Sequence, residues 1–260
     1  NENILRFVNF GVNYRNVKRF GGKMNTGSDL NGLSQTGQMA WQAFSNQNVF
    51  YEDFDYNDEK GFFKENYYHD SWVGWLTLMG AQSYLIDETS LGGTIDGVEY
   101  PDGNYYPSYS NSYREMLSGG IDAYDFNLSF NLIDAVYLGV TFTTYDVDRS
   151  LESTYGEELV GGNYTLQNFY RTTGSGYDFK FGAILRPFEE SSFRIGVSAT
   201  TPTIYTLRDY NSAILTSSVT LRDPSGYEWV ETTEIDTYKD NAFGGDCYTD
   251  YTMIAPAKIN

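Results

Sequence analysis

The stretch that decides the fold is Gly174 to Tyr205, GSGYDFKFGAILRPFEESSFRIGVSATTPTIY. Tyr177, Phe179, Phe181, Ala183 and Leu185 fall on one side of a period-two alternation, with Asp178, Lys180 and Gly182 on the other, the pattern of a strand with one apolar face. Pro187-Phe188-Glu189-Glu190 reads as a tight polar turn. Beyond it Phe193, Ile195, Val197 and Ala199 alternate with Arg194, Gly196 and Ser198, so the stretch is a hairpin of two long strands. In a soluble sandwich the apolar face would meet a protein core. In a transmembrane barrel it meets lipid, and small and charged residues line the interior. Periodicity alone does not separate the two.

Outward from the hairpin the rhythm repeats. Tyr124, Phe126, Leu128, Phe130 and Leu132 oppose Asp125, Asn127, Ser129 and Asn131, and Ile133-Asp134-Ala135 turns the chain into Val136, Leu138, Val140 and Phe142. At the start, Ile4, Val8, Phe10, Val12 and Tyr14 alternate with Leu5, Phe7, Asn9, Gly11, Asn13 and Arg15, which predicts a strand to about Val17 with Arg6 intruding on its apolar face. Ser212 to Leu221 and Tyr227 to Ile235, separated by the turn residues Asp223-Pro224-Ser225-Gly226, read as strand extensions. The count is eight or nine strands. Short turns at one end and long excursions at the other match a bacterial barrel.

Between residues 18 and 109 the alternation is lost over a length no structureless loop would have in a compact domain. Two helices are predicted inside this insertion. One lies near 34–46, capped by Ser34 and carrying Met39, Trp41 and Phe44. The other lies near 71–86, capped by Ser71 and carrying Trp72, Trp75, Leu76 and Met79. Their apolar stripes either pack on each other or face a ligand.

Composition bounds the class. The chain of 260 residues has 24 Tyr, 17 Phe and 26 Gly, a bias suited to strands with aromatic girdles and a crowded interior. No apolar run reaches the ~18 residues of a membrane-spanning helix. A net charge of −18 repels nucleic acid and offers no polybasic handle for anionic lipid. The single Cys247 excludes a disulfide framework within the chain. The sequence therefore predicts an all-β chain, a transmembrane antiparallel β-barrel with a largely helical extracellular insertion.

Asp125-Phe-Asn-Leu-Ser-Phe-Asn, Val136-Tyr-Leu-Gly-Val-Thr, Gly174 to Pro187, Phe193-Arg-Ile-Gly-Val-Ser and Thr201-Pro-Thr-Ile-Tyr together resemble the long-chain fatty acid transporter (FadL/TodX) family. The likeness is to members of the Bacteroidetes type, some labelled hemin receptors. The resemblance covers most of the chain and is most specific from Tyr113 to Tyr205. It implies a fourteen-stranded monomeric barrel in the bacterial outer membrane, in contact with bilayer and lipopolysaccharide. Such a barrel takes up a fatty acid-like hydrophobic molecule caught on the extracellular excursion and releases it sideways through the wall. The family's N-terminal hatch and last strands are missing here, which reads as an internal fragment. Relatives that act as shuttle proteins in a secretion system provide a second, non-transporting expectation.

Uptake of this kind needs no nucleophile, metal or cofactor, so the chain is expected to be no enzyme. Its candidate ligand-binding residues are Met39, Trp41, Phe44, Trp72, Trp75, Leu76 and Met79, large apolar side chains that each contribute ~1.5 to 3 kcal/mol when covered. Candidate interior residues are Asp125, Asn127, Asp178, Lys180, Gly182, Arg194 and Gly196. Lys64, Arg114 and Arg171 are candidates to meet a polar head group. The one histidine, His69, beside Asp70 and Ser71, reads as an exposed loop residue rather than a catalytic base. Asp53 to Glu59 has the acidic spacing of a calcium loop, but Asp58 stands where such a loop needs Gly and Lys64 where it needs Glu. It reads as a solvated acidic loop.

Overall fold

The computed structural model describes residues 4–45, 74–87, 104–188, 191–222, 225–238 and 248–260, together with the backbone of the two-residue strands Tyr56–Asn57, Phe62–Phe63, Thr94–Ile95 and Val98–Glu99. One nine-stranded antiparallel sheet dominates. Its strands are β1 (Leu5–Asp29), β2 (Ser108–Leu132), β3 (Val136–Leu159), β4 (Gly162–Leu185), β5 (Ile195–Thr200), β6 (Thr203–Arg222), β7 (Glu228–Asp236), β8 (Tyr248–Ala255) and β9 (Lys258–Ile259). Helices α1 (Gln35–Ser45) and α2 (Trp75–Gln82) lie between β1 and β2.

The nine strands form six rows. β1 to β4 meander as neighbours. The far edge of β4 pairs with β5 over Lys180–Leu185 and with β6 over Gly162–Tyr177, so β5 and β6 continue one another. On the far side of that row, β7, β8 and β9 lie end to end. Among the described residues β1 and the β7–β9 row each keep one unpaired edge.

The break between β5 and β6 has a local cause. Proline donates no backbone hydrogen bond, and at Pro202 the partner strand gains one residue, because Lys180 faces Thr200 while Tyr177 faces Ile204. Thr201 bridges the gap: its N–H reaches the Phe179 carbonyl at 2.9 Å, and its hydroxyl accepts the Phe179 N–H at 3.0 Å. This is a β-bulge in the middle of the hairpin that dominates the sequence.

Several boundaries differ from expectation. β1 does not stop near Val17 but runs to Asp29, matched residue by residue against Ile121 to Ser110 across one register shift between Asn16 and Lys18. The insertion therefore spans 30–107 rather than 18–109. Lys18 to Asp29 lacks the apolar alternation because both of its faces are largely exposed, so backbone pairing holds it without a hydrophobic face. A second shift between Leu5 and Phe7 makes Arg6 the extra residue. It leaves the apolar face and meets Asp134 at 3.6 Å. The link after Leu185 is longer than a tight turn, since β5 begins at Ile195. Arg194 lies in that link, exposed, just before the strand.

In the insertion, Ser34 caps α1 as expected, its hydroxyl accepting the Thr36 N–H at 3.0 Å. The second helix is shorter than the predicted 71–86. It starts at Trp75 after Gly74, which makes no side-chain cap, and ends at Gln82. Ile86–Asp87 then pairs with Asn104–Tyr105 as a short ladder. Ser71 lies outside the described residues. Met39, Ala40, Met79, Leu85 and Ile86 form one buried cluster with Leu159, Tyr164, Leu166, Ala213, Leu215, Val219 and Ile235 of the sheet.

The strands run 24 or 25 residues in β1 to β4, about 80 Å at ~3.3 Å per residue. Only the lower third carries the apolar alternation. There the register aligns Val12, Phe126, Phe142 and Phe179 across four strands, and Phe10, Leu128, Val140, Phe181, Ala199 and Ile259 across six rows. Phe142 lies 5.1 Å from Phe179 and 6.3 Å from Phe126 between ring centroids. Apart from half-buried Ala199 these side chains are exposed, Phe10 by 72% and Phe181 by 49%. Tyr14, Tyr124 and Tyr177 close the band in one row. Directly above, the same face becomes charged, with Asp148 bound to Arg171 at 2.8 Å and Arg208 to Asp250 at 2.6 Å. Each arginine holds its aspartate's carboxyl below the ordinary range.

The turn between β2 and β3 carries a cost, because Ile133 and Asp134 adopt φ of 48° and 57°. A β-branched residue there is unfavourable by ~1 to 2 kcal/mol, and asparagine is better suited. Ile133→Asn is expected to stabilise the chain by about 1 kcal/mol, read as a higher denaturant midpoint with an unchanged slope.

Candidate functional site

The face opposite the apolar band carries the chemistry. Period-two alternation sends Asn13, Asp125, Thr143 and Asp178 to one level of it, with Gly11, Asn127, Thr141, Lys180, Thr200 and Lys258 one level below. Asp125 accepts from Thr143 Oγ1 at 2.7 Å, Arg15 Nε at 3.0 Å, Asn13 Nδ2 at 3.3 Å and Lys180 Nζ at 3.4 Å. Asp178, 2% exposed, accepts from the Tyr145 hydroxyl at 2.7 Å and the Thr203 hydroxyl at 2.9 Å. The bulge at Pro202 turns Thr203 toward this carboxylate. Lys180 Nζ sits between the two acids, 3.0 Å from Thr143 Oγ1 and 4.0 Å from Asp178 Oδ1, and Oδ1 accepts no hydrogen bond among the described residues.

The cluster balances two carboxylates against Arg15 and Lys180, so it gathers polarity with no net charge. Sharing donors in this way is what allows charges to sit at low exposure. Tyr205 covers it from above, lying against Gly176, where an added Cβ would stand 2.4 Å from the ring. Tyr145 and Tyr205 are 5.5 Å apart between centroids. Below the cluster, Ser129, Tyr137, Gly139, Gly182, Gly196 and Ser198 line an open concavity of about 490 Å³.

Higher on the same face, Arg149 lies over the rings of Phe20 and Tyr170 at 5.9 and 5.6 Å. At the top the face turns apolar, and there α1 docks. Glu157 of β3, buried at 2% exposure, accepts the Ser34 hydroxyl at 2.6 Å and the Gln35 N–H at 2.8 Å. The Tyr155 hydroxyl also donates to Glu157, and the Tyr164 hydroxyl donates to Gln35 Oε1 at 2.8 Å.

The structure gathers Asp125, Asn127, Asp178 and Lys180 on one face, with Gly182 and Gly196 at the concavity below them. Arg194 stands apart from that group. Of the candidate ligand-binding residues, Met39 and Met79 are 0% and 1% exposed, enclosed between the helices and the sheet. Trp75 and Leu76 are half-buried, and Trp41 is 60% exposed. The side chain of Phe44 and all of Trp72 lie outside the described residues, as do Lys64, His69 and the acidic loop 53–55 and 58–59. Arg114 is exposed, and Arg171 is engaged by Asp148.

Sequence reasoning did not assign Arg15, Thr143, Tyr145, Thr203 or Tyr205 to the site. The hairpin register alone places Thr143 opposite Asp125. The contribution of Thr203 depends on the bulge, which no alternation count reveals. Comparison with family models, curated proteins and solved structures returned no match.

Burial, and then Glu157, pushes the Tyr155 hydroxyl up to about 12, and burial raises that of Tyr164 as well. An unfolded tyrosine ionises near ~10. A raised folded-state value gives stability that is complete below about pH 10 and is lost as pH rises through about 12. Tyr155→Phe is therefore expected to flatten the fall in stability between those values, measured by chemical unfolding at a series of alkaline pH values.

Proposed function

We propose that the chain forms wall and extracellular insertion of an outer-membrane β-barrel that admits hydrophobic compounds such as long-chain fatty acids. One observation carries this reading. The exposed apolar band is nine residues tall on β2 (Tyr124 to Leu132), on β3 (Val136 to Thr144) and on β4 (Tyr177 to Leu185). A tilted transmembrane strand needs ~9 to 11 residues. The band is bounded by tyrosines and then by ion pairs on the same face, while the opposite face is polar, the arrangement expected of a strand between lipid and an aqueous interior. A contiguous exposed apolar surface of this extent otherwise marks an interaction site.

The six rows among the described residues are fewer than the roughly eight strands of the smallest bacterial barrels. A closed wall therefore requires further strands at the free edges of β1 and the β7–β9 row. The family resemblance of the Asp125 to Tyr205 segment supports the same reading. The capture surface in this proposal is built from Trp41, Trp75 and Leu76, the candidates that keep exposure among the described residues.

A second reading, a non-transporting scaffold, is favoured by the docking of α1 and α2 over the upper end of the polar face. Ligand binding separates the two. The full chain in detergent is expected to bind oleate saturably by tryptophan fluorescence. Trp75→Ala should weaken that binding roughly ten- to hundredfold, the loss of ~1.5 to 3 kcal/mol of apolar contact. Absence of saturable binding to any apolar ligand tells against the channel. The membrane assignment has its own check. Phe142→Arg in the band is expected to cost about 2 to 4 kcal/mol in lipid vesicles, whereas Glu152→Arg on the same face above it costs less than about 1 kcal/mol. Equal costs would contradict a bilayer on that face.

A further inference from the structure

The upper end of the polar face is buried because α1 and α2 sit on it. Helices of 11 and 8 residues are too short to hold themselves in water, so their order comes from the surface they cover. That contact has two chemically distinct parts. The apolar part is the shared cluster that holds Met39 and Met79 together with Leu166, Ala213, Leu215 and Val219. The two helices are as close as glycine permits, since a Cβ at Gly80 would lie 2.6 Å from Met39 Sδ.

The polar part is a set of bonds around that cluster. Glu157 holds the first turn of α1 through Ser34 and Gln35, where its negative charge also meets the positive end of the helix. Thr36 Oγ1 donates to the Tyr106 carbonyl at 2.7 Å, and Ser217 Oγ donates to the Ser83 carbonyl at 2.8 Å.

We propose that α1 and α2 are an autoinhibitory lid, latched by Glu157, in which Met39 and Met79 occupy a sheet surface that an acyl chain takes when the lid is displaced. The proposal rests on the channel reading. Methionine is an unbranched, flexible apolar chain that fills irregular space without interlocking, so these two side chains are stand-ins that a ligand of the same shape replaces. The sheet below them carries Leu159, Tyr164, Leu166, Ala213, Leu215, Val219 and Ile235, with Ser217 and Glu157 as polar points among them. The latch sets the resting state: if α1 leaves, Glu157 keeps the Tyr155 hydroxyl but loses the Ser34 and Gln35 donors and the positive helix end they belong to, which is unfavourable. A ligand that fills the surface offsets that cost. A lid of this design also reconciles a covered polar face with passage along it.

The test uses the full chain in detergent with Cys247→Ser as background and Ser83→Cys as reporter, since Ser83 travels with the lid and is 0% exposed where its carbonyl meets Ser217 of the sheet. Maleimide labelling should be slow at rest and at least tenfold faster with oleate. Ser34→Ala and Glu157→Ala should each speed it at least tenfold without oleate, and each should tighten oleate binding. Ser34→Ala alters only the insertion side of the latch, and circular dichroism of the strands checks that the sheet is intact in both variants. Labelling that ignores both variants and oleate overturns the lid. Labelling that follows the latch but ignores oleate overturns the acyl-chain assignment. Failure of the channel reading looks different: no oleate binding even in the latch variants.

Discussion

Antiparallel register is the constraint on which everything else here depends. Because side chains alternate with a period of two, the pairing that sets Asp125 beside Thr143 and Asp178 is the same pairing that sets Phe126 beside Phe142 and Phe179. A slip of one residue between β3 and β4 would send Asp178 to the apolar band and Phe179 into the charge cluster, losing both at once. The polar cluster and the aromatic row therefore hold the register jointly, each penalising the slip that the other would suffer from. One departure from strict alternation, the bulge at Pro202, lies next to Asp178 and supplies it with the Thr203 hydroxyl.

The long strands divide into zones by what each face meets. In the lower third one face is apolar and exposed, and the other is polar and hydrogen-bonded. In the upper part the relation inverts, since the face that is polar below becomes the buried apolar bed of α1 and α2, while the outer face carries ion pairs. This inversion explains why the helices dock where they do. Apolar residues at Tyr164, Leu166, Leu215 and Val219 need covering, and the insertion between β1 and β2 is the segment that supplies the cover.

The charge cluster is better understood as a strut than as an attractor. Arg15 and Lys180 balance Asp125 and Asp178, so a chain with a net charge of −18 offers no free positive field at this level. What it offers instead is rigidity beside a glycine-lined concavity, with Tyr205 held flat by Gly176. In the proposed channel such a site keeps the wall in shape, and selectivity for apolar cargo falls to the insertion.

Legible in the sequence are the all-β class, the two hairpins around Ile133 and the 186–194 link, the presence of two helices though not the bounds of the second, and the faces shared in the lower third apart from those of Arg6 and Arg194. Those properties follow from local period and turn chemistry, which neighbouring residues encode. The sequence did not reveal that Lys18 to Asp29 is strand, because a segment solvated on both faces has no alternation to read and is ordered by backbone bonds to β2. Nor did it reveal that Met39 and Met79 are enclosed, since a helix stripe looks alike whether it meets a ligand or a sheet. Only the tertiary structure decided these points, together with the roles of Arg15, Tyr145 and Glu157. Asp125, Asp178 and Ser34, which they bind, lie far away in the chain, from 33 to 123 residues distant, and come together only when the strands fix their register.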